Sequence, residues 1–338
     1  MVASFTARQE LQARRLIAQG LAQSAARPEL ESPKSVIEHL LALQGQTYKA
    51  GIRAIAQRIN NGSDFAENPE QTVAEVLKSV ENHEIVRAWP MRGTLHFLAA
   101  TEARWLMRLC SPRVENAAAK RRAGLGIDPE SLVSATSSLE EYLLNLPVGE
   151  VLPRAQAYEL FAEAGLNPKE GRGPHLLRAV GGFGDIVQSV PAGRYETFVH
   201  VDRLRVEQRY VAENDALAEL ATRYLNGHGP VLVEDLSWWA YLTKRDCKKA
   251  LETARNSQKM KIGETEYFVP AWQLDVTEAE LTDALDRSYE LPAFDEYLLG
   301  YADKSFTMPD EIRHEVLTKN GISWDFTVQA GEVVGRTH

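Results

Sequence analysis

Cysteine is scarce: only Cys110 and Cys247 occur in 338 residues, far apart and each alone. With no CxxC pair and no HExxH, a zinc site of ordinary spacing is excluded. Both thiols are expected to be buried as small apolar groups in a reducing compartment. No apolar run approaches the roughly 20 residues that a membrane span needs. The opening stretch MVASFTARQELQARRL is polar and helical in pattern and has no apolar signal core, so the cytoplasm is the expected location. Positive charge is also in deficit, with a net charge of −9. That argues against a protein that coats nucleic acid indiscriminately, but it is compatible with local basic patches. No phosphate-binding P-loop is present. The glycines of GGFGD, residues 181–185, fall in the order helix, glycines, strand, the reverse of a dinucleotide fingerprint.

The chain contains 44% apolar and 25% charged residues, as in an ordinary globular protein, and its length predicts two to four compact units. A helix is predicted in ARQELQARRLIAQGLA. Another begins at ESPKSVIEHLLALQ, with Ser32 as N-cap, Pro33 at the first helical position, and Val36, Leu40 and Leu43 at helical spacing. Helical patterns follow at 49–60 and 72–82. EIVRAWPMRGTLHFLA then reads as a hairpin turning at 91–93. Helices followed by a hairpin recur at ESLVSATSSLEEYLLN to YETFVHV, where the turn falls at 191–193. They recur again at DALAELATRYLNGHG to KMKIGETEYFVP, with Thr243 as a cap and Gly263 at the turn. The spacing of roughly 80 residues exceeds that of solenoid repeats. The expectation is an α+β chain of three tandem winged-helix units followed by a small C-terminal β-rich, barrel-like domain. Its segments are 1–124, 125–205, 206–275 and 276–338. Because the sequence stops directly after a strand pattern, either the natural chain continues past His338 or its last sheet is short of an edge.

LALQGQTYKAG places Gln44 and Gln46 at the end of an apolar run. On a continuous helix, positions i and i+2 point about 200° apart. A left-handed Gly45 would turn the chain and let both amides face one point. Two convergent amides can hold a water or a polar ligand group; alternatively, Gln44 caps backbone groups and Gln46 faces solvent. Arg87, Arg92 and His96 lie on or beside a hairpin that can reach DNA, or His96 packs at a strand end. Lys244 with Lys248, and Arg245 with Lys249, form a basic strip at i,i+4 spacing. Lys120, Arg121 and Arg122 make a second basic cluster. Each cluster can contact phosphate or simply be solvated. Asp295, Glu296 and Tyr297 occur in AFDEYLLG, where a carboxylate could steady a reacting cation or brace the fold.

LALQGQ after an apolar helix, RGTLHFLA on the first hairpin and LPAFDEYLLGYADKS near the end occur together and in order. They resemble the winged-helix DNA glycosylase family typified by the azinomycin-resistance (AlkZ-like) glycosylase of antibiotic producers. The resemblance covers nearly the whole chain. It implies that Gln44 and Gln46 match the outer positions of a motif that holds the catalytic water. Gly45 departs from the larger apolar residue usual between them. The amide at the last position, where a sister branch carries an acid, resembles the branch that removes bulky adducts and crosslinks. Asp295 and Tyr297 are implied to lie near the cleft.

The function expected is monofunctional hydrolysis of the N-glycosidic bond of N7-alkylated purines in double-stranded DNA, extending to bulky adducts or interstrand crosslinks. No metal, cofactor or Schiff-base lysine is expected to take part, no membrane is involved, and the protein is expected to be a monomer. Two other readings compete. A non-catalytic winged-helix DNA-binding regulator predicts indifference to damage, and a protein-interaction scaffold predicts no salt-dependent DNA binding.

Overall fold

The computed structural model describes residues 5–318 and 320–337. It divides into two compact units: Met1–Val76 with Leu217–His338, and Leu77–Ala216. The divisions fall within two helices, Pro69–Glu81 and Glu213–His228. Of the four sequence segments, 125–205 lies wholly in the second unit and 276–338 wholly in the first, while the other two are divided.

The first unit is organised around the helix Ala7–Ala18. Thr6 and Gln9 form a reciprocal capping box at its start. From Leu11 to Ala18 every residue is buried, including Gln12, Arg14 and Arg15. A helix buried all round must satisfy its polar side chains internally. Gln12 donates to the Phe306 carbonyl and Arg14 to that of Gln273. Arg15 donates to the Pro230 carbonyl and pairs with Asp235 at 3.2 Å, while its guanidinium lies 3.7 Å from the Tyr301 ring centre.

Further along the chain, the helices Val233–Ala240 and Lys244–Thr253 precede the hairpin Ser257–Ile262 with Thr265–Pro270. Thr243 caps the second helix by accepting from the Asp246 amide, and Gly263 sits in the hairpin turn at φ 58°. An isolated bridge joins Val231 to Phe268. The C-terminal sheet has three antiparallel strands, in the order Glu332–Arg336, Phe326–Gln329, Ser288–Leu291. The expected barrel-like end is therefore an open sheet: among the described residues it has two edges, and three strands are too few to close.

The second unit contains a five-stranded antiparallel sheet in the order Thr94–Ala99, Ile85–Met91, Ile186–Gln188, Thr197–His200, Leu152–Pro153. Two hairpins are joined side by side through the pair Arg87–Gln188. The first hairpin turns at Arg92 and Gly93, with φ 55° and 70°, the left-handed pair that matches strand twist in a two-residue turn. Around the sheet lie the helices Ala103–Gly124, Pro129–Asn145, Arg154–Glu163 and Arg172–Gly182. Leu139, Phe161, Leu176 and Phe198 are among the residues of its apolar core. Cys110 and Cys247 are both buried.

Arg58 and Asp295 of the first unit have fully buried side chains and form a two-pronged ion pair at 2.8 and 2.9 Å. Removing one member of a buried pair leaves the other charge unsolvated. Asp295→Ala is expected to cost about 3–5 kcal/mol, seen as a lower urea midpoint. Asp310→Ala, at an exposed pair, is expected to change stability by less than about 0.5 kcal/mol. Equal midpoints for the two variants would refute a structural role for the buried pair.

Candidate active site

The helix Pro33–Leu40 leads into the glutamine motif. Ser32 accepts from the Ser35 amide at 3.1 Å, and Pro33 takes the first helical position, where no donor is needed. Near its end, His39 Nε2 donates to the Ala18 carbonyl at 2.7 Å. The helix stops at Leu41, which has φ 67° and ψ −45° and a side chain only 1% exposed.

The chain break is thus made three residues before Gln44, by a leucine, and not by Gly45. An apolar side chain anchored in the core holds a backbone conformation that its own preference disfavours. Residues Ala42–Gln44 are then extended, so Leu43 and Gln44 do not continue the helix as expected. This changes the stereochemistry of the pair. Gln44 closes the strand and Gln46 lies just beyond it, so neither glutamine sits on a continuing helix. Gln44 is 6% exposed, whereas Gln46 is exposed just beyond the strand, before the helix Tyr48–Ala56.

Beneath this segment sits a buried polar cluster. The Gln44 amide faces Glu296 Oε2 at 3.5 Å. Glu296 has no exposed surface. Its Oε1 accepts from Trp239 Nε1 and lies 3.4 Å from His228 Nε2. The His228 Nδ1 donates to the Tyr224 carbonyl at 3.0 Å, and its ring stacks on that of Tyr224 at 4.4 Å. One residue earlier in the chain, Asp295 holds Arg58 and also accepts from the Tyr297 amide to start the short helix Glu296–Leu299. Burial pushes the Tyr297 phenol upward, and its hydroxyl donates to the Gly331 carbonyl.

Asp295 and Tyr297 are both buried and bonded within the first unit. The carboxylate that reaches the glutamine motif is Glu296, which lies between them. Its proximity to Asp295 gave no signal of this. Only the phase of a four-residue helix separates the two roles.

The basic residues divide in the same way. Lys244, Arg245, Lys248 and Lys249 are all exposed on the helix Lys244–Thr253; Lys244 contacts Glu234 and Lys248 contacts Glu252. Lys120 and Arg121 are exposed, but Arg122 is buried and paired with Glu115 on its own helix. The spacing of seven residues puts those two on one helix face and could have revealed the pair. Arg87 is 6% exposed and donates to Gln188 at 2.8 Å. Arg87 and Arg122 are thus corrected from candidate DNA contacts to internal ones, because burial removes them from phosphate. His96 has no exposed surface. Its Nδ1 donates to the Thr94 carbonyl at 3.0 Å, leaving Nε2 to accept from Arg92 at 3.1 Å. Among the described residues, no group of three or more His, Cys, Asp or Glu could hold a metal ion, and no helix is long and apolar enough to cross a membrane.

A sequence profile described as "DNA glycosylase AlkZ-like" matches residues 37–338, which include both glutamines and the Asp295–Glu296–Tyr297 run. This chain belongs to the AlkZ-like DNA glycosylase family. Among solved structures, Streptomyces sahachiroi DNA glycosylase AlkZ shares the fold of this AlkZ-like chain. The TM-score is 0.75 at 20% identity, over 98% of this chain and 87% of that one. No protein of curated function matches the sequence.

Burial, with nearby cations adding to it, pushes the His39 imidazole down to about 3. The folded protein keeps the ring neutral while the unfolded chain takes up a proton near pH 6.5. Stability is therefore full above that value and falls as the pH drops toward 3, by at most about 1.4 kcal/mol per pH unit. His39→Gln keeps a donor for Ala18 and is expected to flatten the loss of urea stability between about pH 7 and pH 5. Parallel profiles for variant and wild type would assign that loss to another group.

Proposed function

We propose that this AlkZ-like protein is a monofunctional DNA repair glycosylase that hydrolyses the N-glycosidic bond of N7-alkylated purines, bulky adducts and interstrand crosslinks included. The observation that carries this reading is the pair of glutamines at the end of one short strand, Gln44 closing it and Gln46 just beyond. One is held in the interior and the other is open to solvent, in a chain of a DNA glycosylase family.

N7 alkylation places a positive charge on the purine and makes it a good leaving group. Such a substrate needs no strong acid. It needs a water placed at C1′ and tolerance of an oxocarbenium-like transition state. Neutral amides are poor bases, but they orient water well through one acceptor and two donors each. Gln46, the exposed member, is proposed to meet the lesion side of that water, with Gln44 fixing its other side. This division suits a labile cationic base and would serve an intact base poorly. An adduct joined to the opposite strand is too bulky to extrude into a closed pocket, so an open cleft is the arrangement proposed.

DNA binding is assigned to the exposed cations Lys244, Arg245, Lys248 and Lys249, with Lys120 and Arg121 as a second contact. The order helix, bridge, two helices, hairpin over 213–270 supports reading that stretch as a winged helix with Lys244–Thr253 as its recognition helix. We extend the same reading to 1–124 and 125–205, with 276–338 as a β-rich end segment. Arg92, half-buried on the turn of the first hairpin, is proposed to contact DNA, with the buried His96 accepting from its guanidinium.

The test is a duplex carrying one N7-methylguanine, followed by alkaline cleavage of abasic sites. Wild type is expected to break the strand. Gln44→Ala and Gln46→Ala are expected to slow the step about 10²-fold or more if both amides hold the water. Wild-type rates in folded variants, or no breakage above buffer on this and a bulky N7 adduct, would leave a non-catalytic DNA-binding regulator as the function. Separately, Lys248→Glu with Lys249→Glu is expected to weaken duplex binding and to reduce the slope of log K against log salt by about 1 per lost phosphate contact. An unchanged slope would remove this helix from the interface.

A further inference from the structure

Glu296 is a carboxylate with no exposed surface, and a buried charge persists only where its oxygens are occupied. Its two oxygens serve different neighbours. Oε1 takes the Trp239 indole N–H and lies beside His228, while Oε2 faces the backbone amide of Gln44. The segment it meets lies between two helices. The preceding helix has ended at Leu41, and the next helix starts at Tyr48 with no side-chain cap from Thr47. The Glu296 contact is one of those that orient the Gln44 peptide, from which the side chain leaves.

We propose that Glu296 is a positioning residue for the hydrolysis. By accepting from the Gln44 amide it sets the direction in which the Gln44 side chain presents its amide to the water. This rests on the water-orienting reading of Gln44 and Gln46. Glu296 is itself held on both sides. Asp295 before it is bound to Arg58, at the end of the helix Tyr48–Ala56, and Tyr297 after it is bound to Gly331. One dipeptide thus grips the chain before that helix through Gln44 and after it through Arg58. A misplacement of about 1 Å in such a group is enough to slow a positioned reaction about 10²-fold.

Glu296→Gln keeps the shape but cannot satisfy both sides. If its NH₂ takes the Oε1 place, it meets the Trp239 donor; if it takes the Oε2 place, it meets the Gln44 donor. The Trp239 indole N–H is a side-chain donor aimed at Oε1, so the amide oxygen is expected to stay there and the mismatch to fall on Gln44.

The experiment uses the full chain and the N7-methylguanine duplex. It measures the single-turnover rate constant, the Kd for the same duplex, the melting temperature, and backbone amide exchange over residues 41–47. For Glu296→Gln a rate 10- to 100-fold lower is expected, with Kd within twofold. Faster exchange should be confined to residues 41–47. Glu296→Asp, which keeps the charge but is one methylene shorter, is expected to recover part of the rate.

A wild-type rate in folded Glu296→Gln overturns the inference. So does a loss of rate accompanied by equal loss of binding and exchange spread over the first unit, which would mark a purely structural role. If Glu296→Gln does not fold, Trp239→Phe removes the donor at Oε1 while keeping a ring. A lower rate at unchanged Kd is then expected, and a wild-type rate overturns the inference. A wild type inactive on every N7 adduct tested overturns the glycosylase reading and this inference together. Exchange over residues 41–47 would still report whether Glu296 anchors the segment, so the two failures are distinguishable.

Discussion

Arg58 and Asp295 meet where neither side chain has any exposed surface. Removing these two charges from water costs several kcal/mol each and is offset only if every donor and acceptor finds a partner. That condition is met. The five N–H groups of Arg58 reach the Gln19 carbonyl, the Gln19 side-chain oxygen, the Ala54 carbonyl and both oxygens of Asp295. Three parts of the sequence are fixed at once: the end of the first helix, the end of the helix Tyr48–Ala56, and the AFDEYLLG motif. A lysine at position 58 could not replace it, because a point charge cannot hold five acceptors in one plane.

The glutamine segment inherits its position from that junction. Asp295 anchors the backbone from which Glu296 reaches Gln44, and the helix Tyr48–Ala56 begins directly after Gln46. The polar interior of the first unit is thus concentrated around one surface feature. The arginines of the first helix repeat the pattern, each satisfied on a carbonyl, a carboxylate or a ring face. Such an interior is rigid and specific, because a partly satisfied network is worse than an apolar one. The proposed positioning of a water by Gln44 and Gln46 would draw on that rigidity.

Charge follows a different logic. The net charge is −9, yet the helix Lys244–Thr253 presents four cations to solvent. DNA attraction depends on where cations lie and not on their sum, so an acidic protein can carry a basic face. Elsewhere arginines that read as candidate DNA contacts are held internally: Arg122 by Glu115 and Arg87 by Gln188.

Local chemistry was legible in the sequence. Ser32 and Pro33 start a helix, Thr243 caps another, and Arg92–Gly93 and Gly263 turn hairpins, because each acts on backbone within four residues of itself. The pairing of two glutamines with a distant FDEYLL run was legible as a motif, and Arg122 with Glu115 could have been read from their spacing. What could not be read depends on partners hundreds of residues away. The helix ends at Leu41 because the core holds a leucine there in a conformation that no local preference would choose. Glu296, and not Asp295, meets Gln44 because a short helix turns one carboxylate toward the motif and the other toward Arg58. The C-terminal strands leave an open sheet because closure depends on strand number and stagger, and neither is encoded in the alternation of any single strand. The sequence determined which groups are available and where the backbone bends locally. Tertiary structure decided which of those groups are buried, because the cost of removing a charge from water depends on everything packed around it.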